Sequence, residues 1–488
     1  MANPSTREVR TRFAPSPTGD LHLGNVRTAL FAWAYARHCS GKLIFRVEDT
    51  DRERVTDEYI QRAVETLKWL GIDWDEGPQV GGEHGPYLQS QRLEIYQHWA
   101  DFFIKNGDAY YCYCSTEELE IRRKKQRELN QAPGYDGKCS SLASAEIQGF
   151  IKEGRAPVIR MRMAGGVTTF TDLIRGEVSF EHKYVPDFVL MRADGSPLYT
   201  LAVAVDDVLM KITHVLRGED LLSSTPRQIR VYQAMGVAPQ DFPVFAHLPF
   251  VMGQDNAKLS KRNGEVSIAW YRQAGFLPEA ICNYLALLGW SPGDDRENVS
   301  MSELAELFVL ERVSSSPARF DMKKLEAING EKIRSLSLDD FLSRALPFLL
   351  KDGVVSGKEE EIAILRHALP IIQERIARMN EVSAMLKFLF TDELSFDQES
   401  ISALSQDRAK EVIVKSLEAL EGLSDWSHEA IEAKLRGALI EQMALKPRLA
   451  FSPVRIAVTG SRISPPLFES MELLGKQRCI SRLNAAVR

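Results

Sequence analysis

Two stretches far apart in the chain carry side chains whose types and spacing suit phosphate chemistry. In Val9–Asn25 an apolar-alternating run breaks into Pro15-Ser16-Pro17-Thr18-Gly19. His22 and Gly24 follow, and then Val26, Ala29, Leu30 and Trp33 recur at helical spacing. The order strand, rigid turn, His-x-Gly-Asn, helix puts a helix N-terminus directly behind the carboxyl end of a strand. Unpaired N–H groups and the helix dipole favour an anion there. Proline fixes φ in the turn, and Gly24 has no Cβ to hold a ligand away. Downstream, Lys258 and Lys261 stand three apart in Lys258-Leu259-Ser260-Lys261-Arg262, with Gly253 and Gly264 close by as hinges. Two lysines on such a loop can close on a triphosphate and offset the charge that builds during displacement. Taken singly, His22 reads equally well as an ordinary loop histidine and the lysine stretch as a solvated turn. Together they read as a nucleotide site.

The elements that must hold these residues follow from periodicity. Residues 1–107 read as βαβ units, with Leu43–Asp49 a strand, Asp57–Leu70 an amphipathic helix closing at Gly71, and a further helix around Gln91–Lys105. Strand–helix alternation predicts a parallel sheet that binds ligands at the strands' carboxyl ends. Near Gly107 the character changes. Tyr110-Tyr111-Cys112-Tyr113-Cys114 leads into the basic run Arg122–Arg127 and then into short β-rich segments, Pro157–Met163, Val167–Leu173 and Val178–Phe180. Phe188–Met191 and Leu198–Val203 flank Asp194-Gly195, which predicts a hairpin. Residues 108–205 therefore read as an insertion between two halves of a nucleotide domain. The βα character resumes at Val215-Leu216-Arg217-Gly218-Glu219-Asp220, so that 206–325 form the second half with a connecting helical region. Beyond Ile281 the pattern is nearly all helical, and 326–488 read as a helical half with joints near 392–405 and at Asp425-Trp426. There Ala409, Val412, Ile413, Leu417 and Leu420 share one face, and Ser427 is placed to cap a helix carrying Ile431 and Leu435.

Composition bounds the rest. A chain of 488 residues exceeds one core and implies two to four domains. The net charge of −6 argues against a uniformly basic nucleic-acid coat but allows local basic faces. The polar start lacks a signal peptide's apolar region, and no run approaches the ~18–20 apolar residues of a membrane span. Six cysteines over this length are no disulfide scaffold. A cytoplasmic enzyme with reduced thiols is expected.

The two phosphate elements resemble the HIGH and KMSKS signatures of class I aminoacyl-tRNA synthetases, and RFAPSPTGDLHLGN (12–25) resembles the glutamyl-tRNA synthetases almost to the letter. Further matches run in family order: RVEDTDRER (46–54), PLYTLAVAVDD (197–207), HVLRGEDLLSSTPRQI (214–229), KLSKR (258–262), SPARFDMKKLEAING (316–330) and PVRIAVTGSRISPPLF (453–468). The resemblance is to the bacterial form and covers nearly the whole chain. It implies a Rossmann-type α/β catalytic domain, a mixed α/β insertion that grips the tRNA acceptor end, and an all-helical anticodon-binding half. It implies ATP-dependent ligation of L-glutamate to tRNA(Glu) through glutamyl-adenylate, with Mg2+ brought by ATP. Carried over residue by residue, Arg12 and Arg217 would hold the two carboxylates, where a guanidinium fork suits bidentate pairing. Glu48 would take the ammonium, and Ser16 and Tyr199 would complete the glutamate pocket. His22, Gly24 and Asn25 would hold the ATP phosphates. Lys258, Leu259, Ser260 and Lys261 would contact ATP from the other side, with His22, Lys258 and Lys261 carrying catalysis and Glu219 and Asp220 near nucleotide or substrate. One position departs from the family: an Asn commonly stands four residues after this Tyr, and here it is Val203.

The resemblance also extends to Cys112-x-Cys114 followed by Tyr135 and Cys139, a zinc pattern of some bacterial members; three thiolates favour zinc. The alternative is a set of reduced cysteines in a small β-rich insertion. The basic run Arg122–Arg127 reads either as a solvated helix face or as part of the acceptor-end grip. In the helical half, Arg375, Arg378 and Arg448 are candidate anticodon readers. Competing readings are a glutaminyl-tRNA synthetase, whose anticodon region is β-barrel, a short paralogue without the C-terminal half, and a non-catalytic RNA-binding relative. Whether tRNA(Gln) is charged as well stays open, and a monomer is the family expectation.

Overall fold

The computed structural model describes residues 7–51, 54–130, 134–253 and 267–487. The chain forms two compact units, Met1–Trp270 with Ile281–Asp321, and Tyr271–Ala280 with Met322–Arg488.

In the first unit β1 (Arg10–Phe13) leads through α1 (Leu23–His38) to β2 (Lys42–Phe45), and the two strands pair in parallel with Arg12 opposite Ile44. β2 is shorter than the expected Leu43–Asp49. Glu48 N still donates to Pro15 O at 2.9 Å, but a proline has no N–H to return. Regular pairing therefore stops at Phe45, and Val47 pairs with the segment around Leu88 instead. α1 is no surface helix: Leu23, Val26, Ala29, Leu30, Phe31, Ala32, Trp33, Ala34 and Ala36 are all buried. Thr11 Oγ1 in β1 donates to Ala32 O in α1 at 2.9 Å, fixing the strand to the helix. α2 (Asp57–Trp69) and α3 (Leu93–Lys105) follow, close to their expected limits.

The following segment contains β3 (Ala109–Cys112), α4 (Thr116–Glu128), α5 (Ser144–Lys152), β4 (Val158–Met161), β5 (Val167–Asp172), β6 (Gly176–Glu181) and β7 (Phe188–Met191). β3, β4 and β7 make an antiparallel sheet. The basic run lies on α4, which buries no residue and is capped by Ser115 and Glu118. The expected hairpin across Asp194-Gly195 is half right. Leu198 N does donate to Leu190 O at 2.7 Å, and Gly195 takes φ +81°. From Tyr199, however, the chain enters α6 (Tyr199–Leu209) rather than a strand. Leu201–Val205 are buried all round, and a short continuous apolar run has no period to separate strand from helix.

β8 (His214–Gly218), α7 (Thr225–Ala234) and β9 (Val244–Leu248) restore the α/β pattern, and β8 and β9 pair in parallel with Arg217 opposite His247. The start of β8 is tied to β1 by Thr213 N donating to Arg10 O at 2.9 Å and Arg10 N donating to Thr213 Oγ1 at 2.7 Å. β1 and β2 thus form one sheet and β6, β5, β9 and β8 another, in that order, with the Thr213–Arg10 contact joining them in a Rossmann-type arrangement and β5 meeting β9 at Asp172. β10 (Val251–Met252) pairs with β11 (Ala318–Arg319).

The second unit is helical. Asp407–Glu421 buries Ala409, Val412, Ile413, Ser416 and Leu420, while Leu417 is only half-buried. Ser427 caps His428–Leu435 as expected. Arg482 donates to Val458 O (2.7 Å), Phe388 O (2.9 Å) and Thr391 O (2.6 Å), satisfying carbonyls at two helix ends. Among the described residues no helix is long and apolar enough to cross a membrane.

One buried polar centre ties the first unit together. Asp206, on α6, accepts from Arg92 Nε at 2.7 Å, Gln89 Nε2 at 3.0 Å and Tyr96 OH at 2.8 Å, and is wholly buried. Removing one partner of a buried ion pair strands the other's charge. Asp206→Ala is therefore expected to destabilise the catalytic unit by about 3–5 kcal/mol, measured as a lower urea midpoint; a change below about 1 kcal/mol would contradict it.

Candidate active site

His22 is the N-cap of α1. Its Nδ1 accepts from Asn25 N at 3.2 Å, and Asn25 Oδ1 accepts from His22 N at 3.3 Å, a reciprocal capping box. With Nδ1 used as an acceptor, the neutral ring carries its proton on Nε2, a donor for an anion at the helix N-terminus. A Cβ at Gly24 would stand 3.1 Å from His22 Cε1 and Nδ1, so the ring would have to give way by a few tenths of an ångström.

Behind the helix end lies a cavity of about 450 Å³. Among its lining residues are Arg12, His22, Gly24, Asn25, Glu48, Tyr199 and Arg217, side chains from β1, α1, the end of β2, α6 and β8. Asp220, also foreseen, lines it too. Ser16 and Glu219 do not. Ser16 is exposed in the turn. Glu219 is tied down, pairing with Arg175 and accepting from Phe250 N at 2.7 Å. Val203 is wholly buried one turn beyond Tyr199 and does not line the cavity. Lys258, Leu259, Ser260 and Lys261 lie outside the described residues. The chain on either side of them borders the site: Val251 lines the cavity, and Ser267 bridges to His22.

The charged groups are held differently. Arg12 has Asp207 3.4 Å from its Nε and donates from Nη1 to Leu216 O at 3.2 Å. Its Nη2 has no partner among the described residues, so its N–H groups face the cavity. Arg46, wholly buried, pairs with Asp207 at 2.8 Å and with Glu48 at 3.3 Å. Glu48 is pushed up to about 7 by burial, against the pull of Arg46 and Arg12. Arg217 donates to His247 Nε2 at 2.9 Å, Gln228 Oε1 at 2.8 Å, Thr225 Oγ1 at 2.8 Å and Leu221 O at 3.2 Å. These bonds use four of its five N–H groups. One Nη1 hydrogen is left for a ligand, which corrects the expectation of a bidentate fork at this residue; Arg12 is the arginine with a free edge.

Sequence reasoning missed Arg27, Gln228, Asp172 and His247. Arg27 lines the cavity, donates to Pro249 O at 2.8 Å and is lowered to about 10 by burial. An arginine among the buried apolar residues of α1 was a legible signal. Asp172 and His247 lie on different strands 75 residues apart, and nothing local links them.

A second cluster sits in the insertion. Cys112, Cys114 and Cys139 place their sulfurs within 4.8 Å of one another, with Tyr135 OH 3.4 Å from Cys112 Sγ. Thiolates on a tetrahedral ion at ~2.3 Å are separated by similar distances. The three sulfurs are close enough together to hold a metal ion. A cavity of about 460 Å³ beside them is lined by Arg123, Arg160, Arg227, Tyr135 and Phe188, and shares Tyr199 with the first.

Comparison with known proteins agrees with this layout. The family described as tRNA synthetases class I (E and Q), catalytic domain, matches residues 8–327, and an anticodon binding domain matches 340–487. A glutamate–tRNA ligase of Nocardioides sp. is 50% identical over 99% of this chain and all of its own length. One of Streptomyces coelicolor is 47% identical over 100% and 99%. The crystal structure of a glutamate tRNA ligase from Elizabethkingia meningosepticum, in complex with its amino acid, is 33% identical and superposes with a TM-score of 0.85 over 99% of both chains.

Proposed function

The chain belongs to the class I tRNA synthetases of the glutamate and glutamine group, and on that premise we propose how its cavity carries out ATP-dependent ligation of glutamate to tRNA. The observation that carries the reading is the meeting in one cavity of three arginines, one buried carboxylate and a histidine-capped helix N-terminus. Glutamate has two carboxylates and one ammonium. Arg12 and Arg217 complement the former and Glu48 the latter, while Tyr199 closes one wall. ATP, carrying Mg2+, lays its phosphates against the N–H groups of α1 and against His22 Nε2–H, with Gly24 and Asn25 beside it. Asp220 lies on this side.

Glutamate's α-carboxylate oxygen forms a bond to the α-phosphorus as the bond to pyrophosphate breaks, giving glutamyl-adenylate. A terminal ribose hydroxyl of tRNA then attacks the acyl carbon, loses its proton, and expels AMP. No protein nucleophile is needed. Positioning and stabilisation of phosphate charge carry the rate, with Lys258 and Lys261 supplying positive charge opposite His22. The three arginines and aromatic rings of the second cavity suit an RNA end reaching Tyr199 from the insertion, residues 108–205. The helical half, 326–488, reads the anticodon. We place the protein in the cytoplasm as a monomer.

Cys112, Cys114, Cys139 and Tyr135 would hold a zinc ion whose work is structural. It would join the end of β3 to the 135–139 segment under the basic helix α4.

Three measurements test this reading. In tRNA-dependent ATP–pyrophosphate exchange, His22→Ala and Lys261→Ala are expected to lower turnover about 10²–10³-fold with little change in glutamate KM; near-wild-type exchange in both rejects their assignment. tRNA choice is a separate question, decided by charging separated tRNA(Glu) and tRNA(Gln) transcripts with radiolabelled glutamate. The second measurement is pH dependence. Glu48 is raised, so it is protonated as pH falls through about 7 and loses its attraction for the ammonium. Glutamate KM is expected to be flat above about pH 8 and roughly tenfold higher at pH 6, and a flat profile across this range removes Glu48 from the ammonium. Third, gently purified protein is expected to contain about one zinc per chain, lost in Cys112→Ser; less than about half an equivalent favours reduced thiols instead.

A further inference from the structure

We propose that Asp172 and His247 are positioning residues for glutamate: together they hold Arg217 in place without neutralising it. This rests on the reading of the cavity as the glutamate site. Asp172 ends β5, His247 lies on β9 and Arg217 on β8, so three strands contribute one group each. Asp172 Oδ1 accepts from Ile174 N at 3.0 Å and Arg175 N at 2.9 Å. His247 N donates to Asp172 Oδ2 at 3.1 Å, and His247 Nδ1 lies 2.6 Å from the same oxygen.

A carboxylate with only acceptor oxygens requires the ring proton on Nδ1. Nε2 is then bare and accepts from Arg217 Nε–H at 2.9 Å. Asp172 thus sets the tautomer, and the tautomer sets the guanidinium plane.

The choice of a neutral ring matters for charge. Arg10 is paired with Glu76, Arg92 with Asp206, and Arg46 with Asp207 and Glu48. Arg217 is as deeply buried as these, yet its hydrogen bonds go to an imidazole, an amide, a hydroxyl and a carbonyl. Among the described residues no carboxylate pairs with it. Its charge is left for a carboxylate that enters the cavity. The charged groups facing His247 are Asp172 from β5, Arg217 from β8 and Arg12 from β1. Burial and the two arginines keep the ring neutral against the pull of Asp172. His247 is wholly buried and does not line the cavity, so it acts through Arg217.

Asp172→Asn separates this role from a structural one. Asparagine keeps an acceptor for Ile174 and Arg175, but its amide donates to His247 Nδ1, moves the ring proton to Nε2 and sets two N–H groups against each other. Glutamate KM is expected to rise about tenfold or more, with kcat at saturating glutamate and ATP KM within about threefold of wild type. His247→Gln, which keeps a neutral acceptor and an amide donor, is expected to retain most of the affinity that His247→Ala loses. The proposal is overturned if Asp172→Asn leaves glutamate KM unchanged, if kcat and ATP KM fail together with it, or if His247→Gln is as impaired as His247→Ala. Wild-type enzyme run in parallel separates the two questions, because failure of wild type to charge tRNA with glutamate rejects the substrate reading itself.

Discussion

Two adjacent carboxylates on α6, Asp206 and Asp207, are the constraint on which the catalytic unit depends. Both are wholly buried, and neither is stable there alone. Asp206 draws in Arg92 and Tyr96 from α3 and its approach. Asp207 draws in Arg46 from the segment after β2 and Arg12 from β1. α6 is thereby fixed to β1 and to the segment after β2. The same contacts place Arg12 and Glu48 at the cavity, since Arg46 bridges Asp207 and Glu48. The site geometry is a by-product of satisfying two buried charges.

Arginines in this unit are held in two ways, with opposite consequences. Arg10, Arg46 and Arg92 face carboxylates, and their charge is spent within the fold. Arg217 and Arg27 face neutral acceptors, and burial disfavours their charged form in both. A guanidinium kept in a dry setting without a counterion attracts an anion more strongly than one already paired. The two unpaired arginines line the cavity, one from β8 and one from α1.

Much of this was legible in the sequence, because local chemistry wrote it. The turn at 15–19, the helix after His22 and the Ser427 cap are set by residues within a few positions of each other, and they stand where periodicity placed them. The run Leu201–Val205 misled, since an apolar stretch without a period fits either element and the packing decided it. β2 ended early because Pro15 cannot return a hydrogen bond, a reason visible only once Pro15 and Glu48 are known to be neighbours. Ser16 fell outside the cavity and Glu219 was absorbed by Arg175 and Phe250, distinctions that depend on which way a turn faces. Asp172 and His247 were hidden for a stronger reason: they lie 75 residues apart on different strands, and their meaning arises only when β5 and β9 meet.

The raised Glu48 and the unpaired Arg217 belong to one electrostatic arrangement. Arg12, Arg27 and Arg217 line the cavity together with Glu48 and Asp220, and among the described residues no carboxylate pairs with Arg217. Glutamate carries two negative charges and one positive, a net of one negative. Its ammonium beside Glu48 would favour the ionised carboxylate and relieve the cost of burying it. Its carboxylates would at the same time take the charge that His247 leaves on Arg217. A neutral amide analogue of the same shape would cancel neither and would leave a buried cation unmatched. Preference for the acid over the amide therefore need not depend on a single contact at the side-chain carboxylate. It would rest as well on the unpaired Arg217 and on Glu48, which the His247 acceptor and the Asp207 network hold in place.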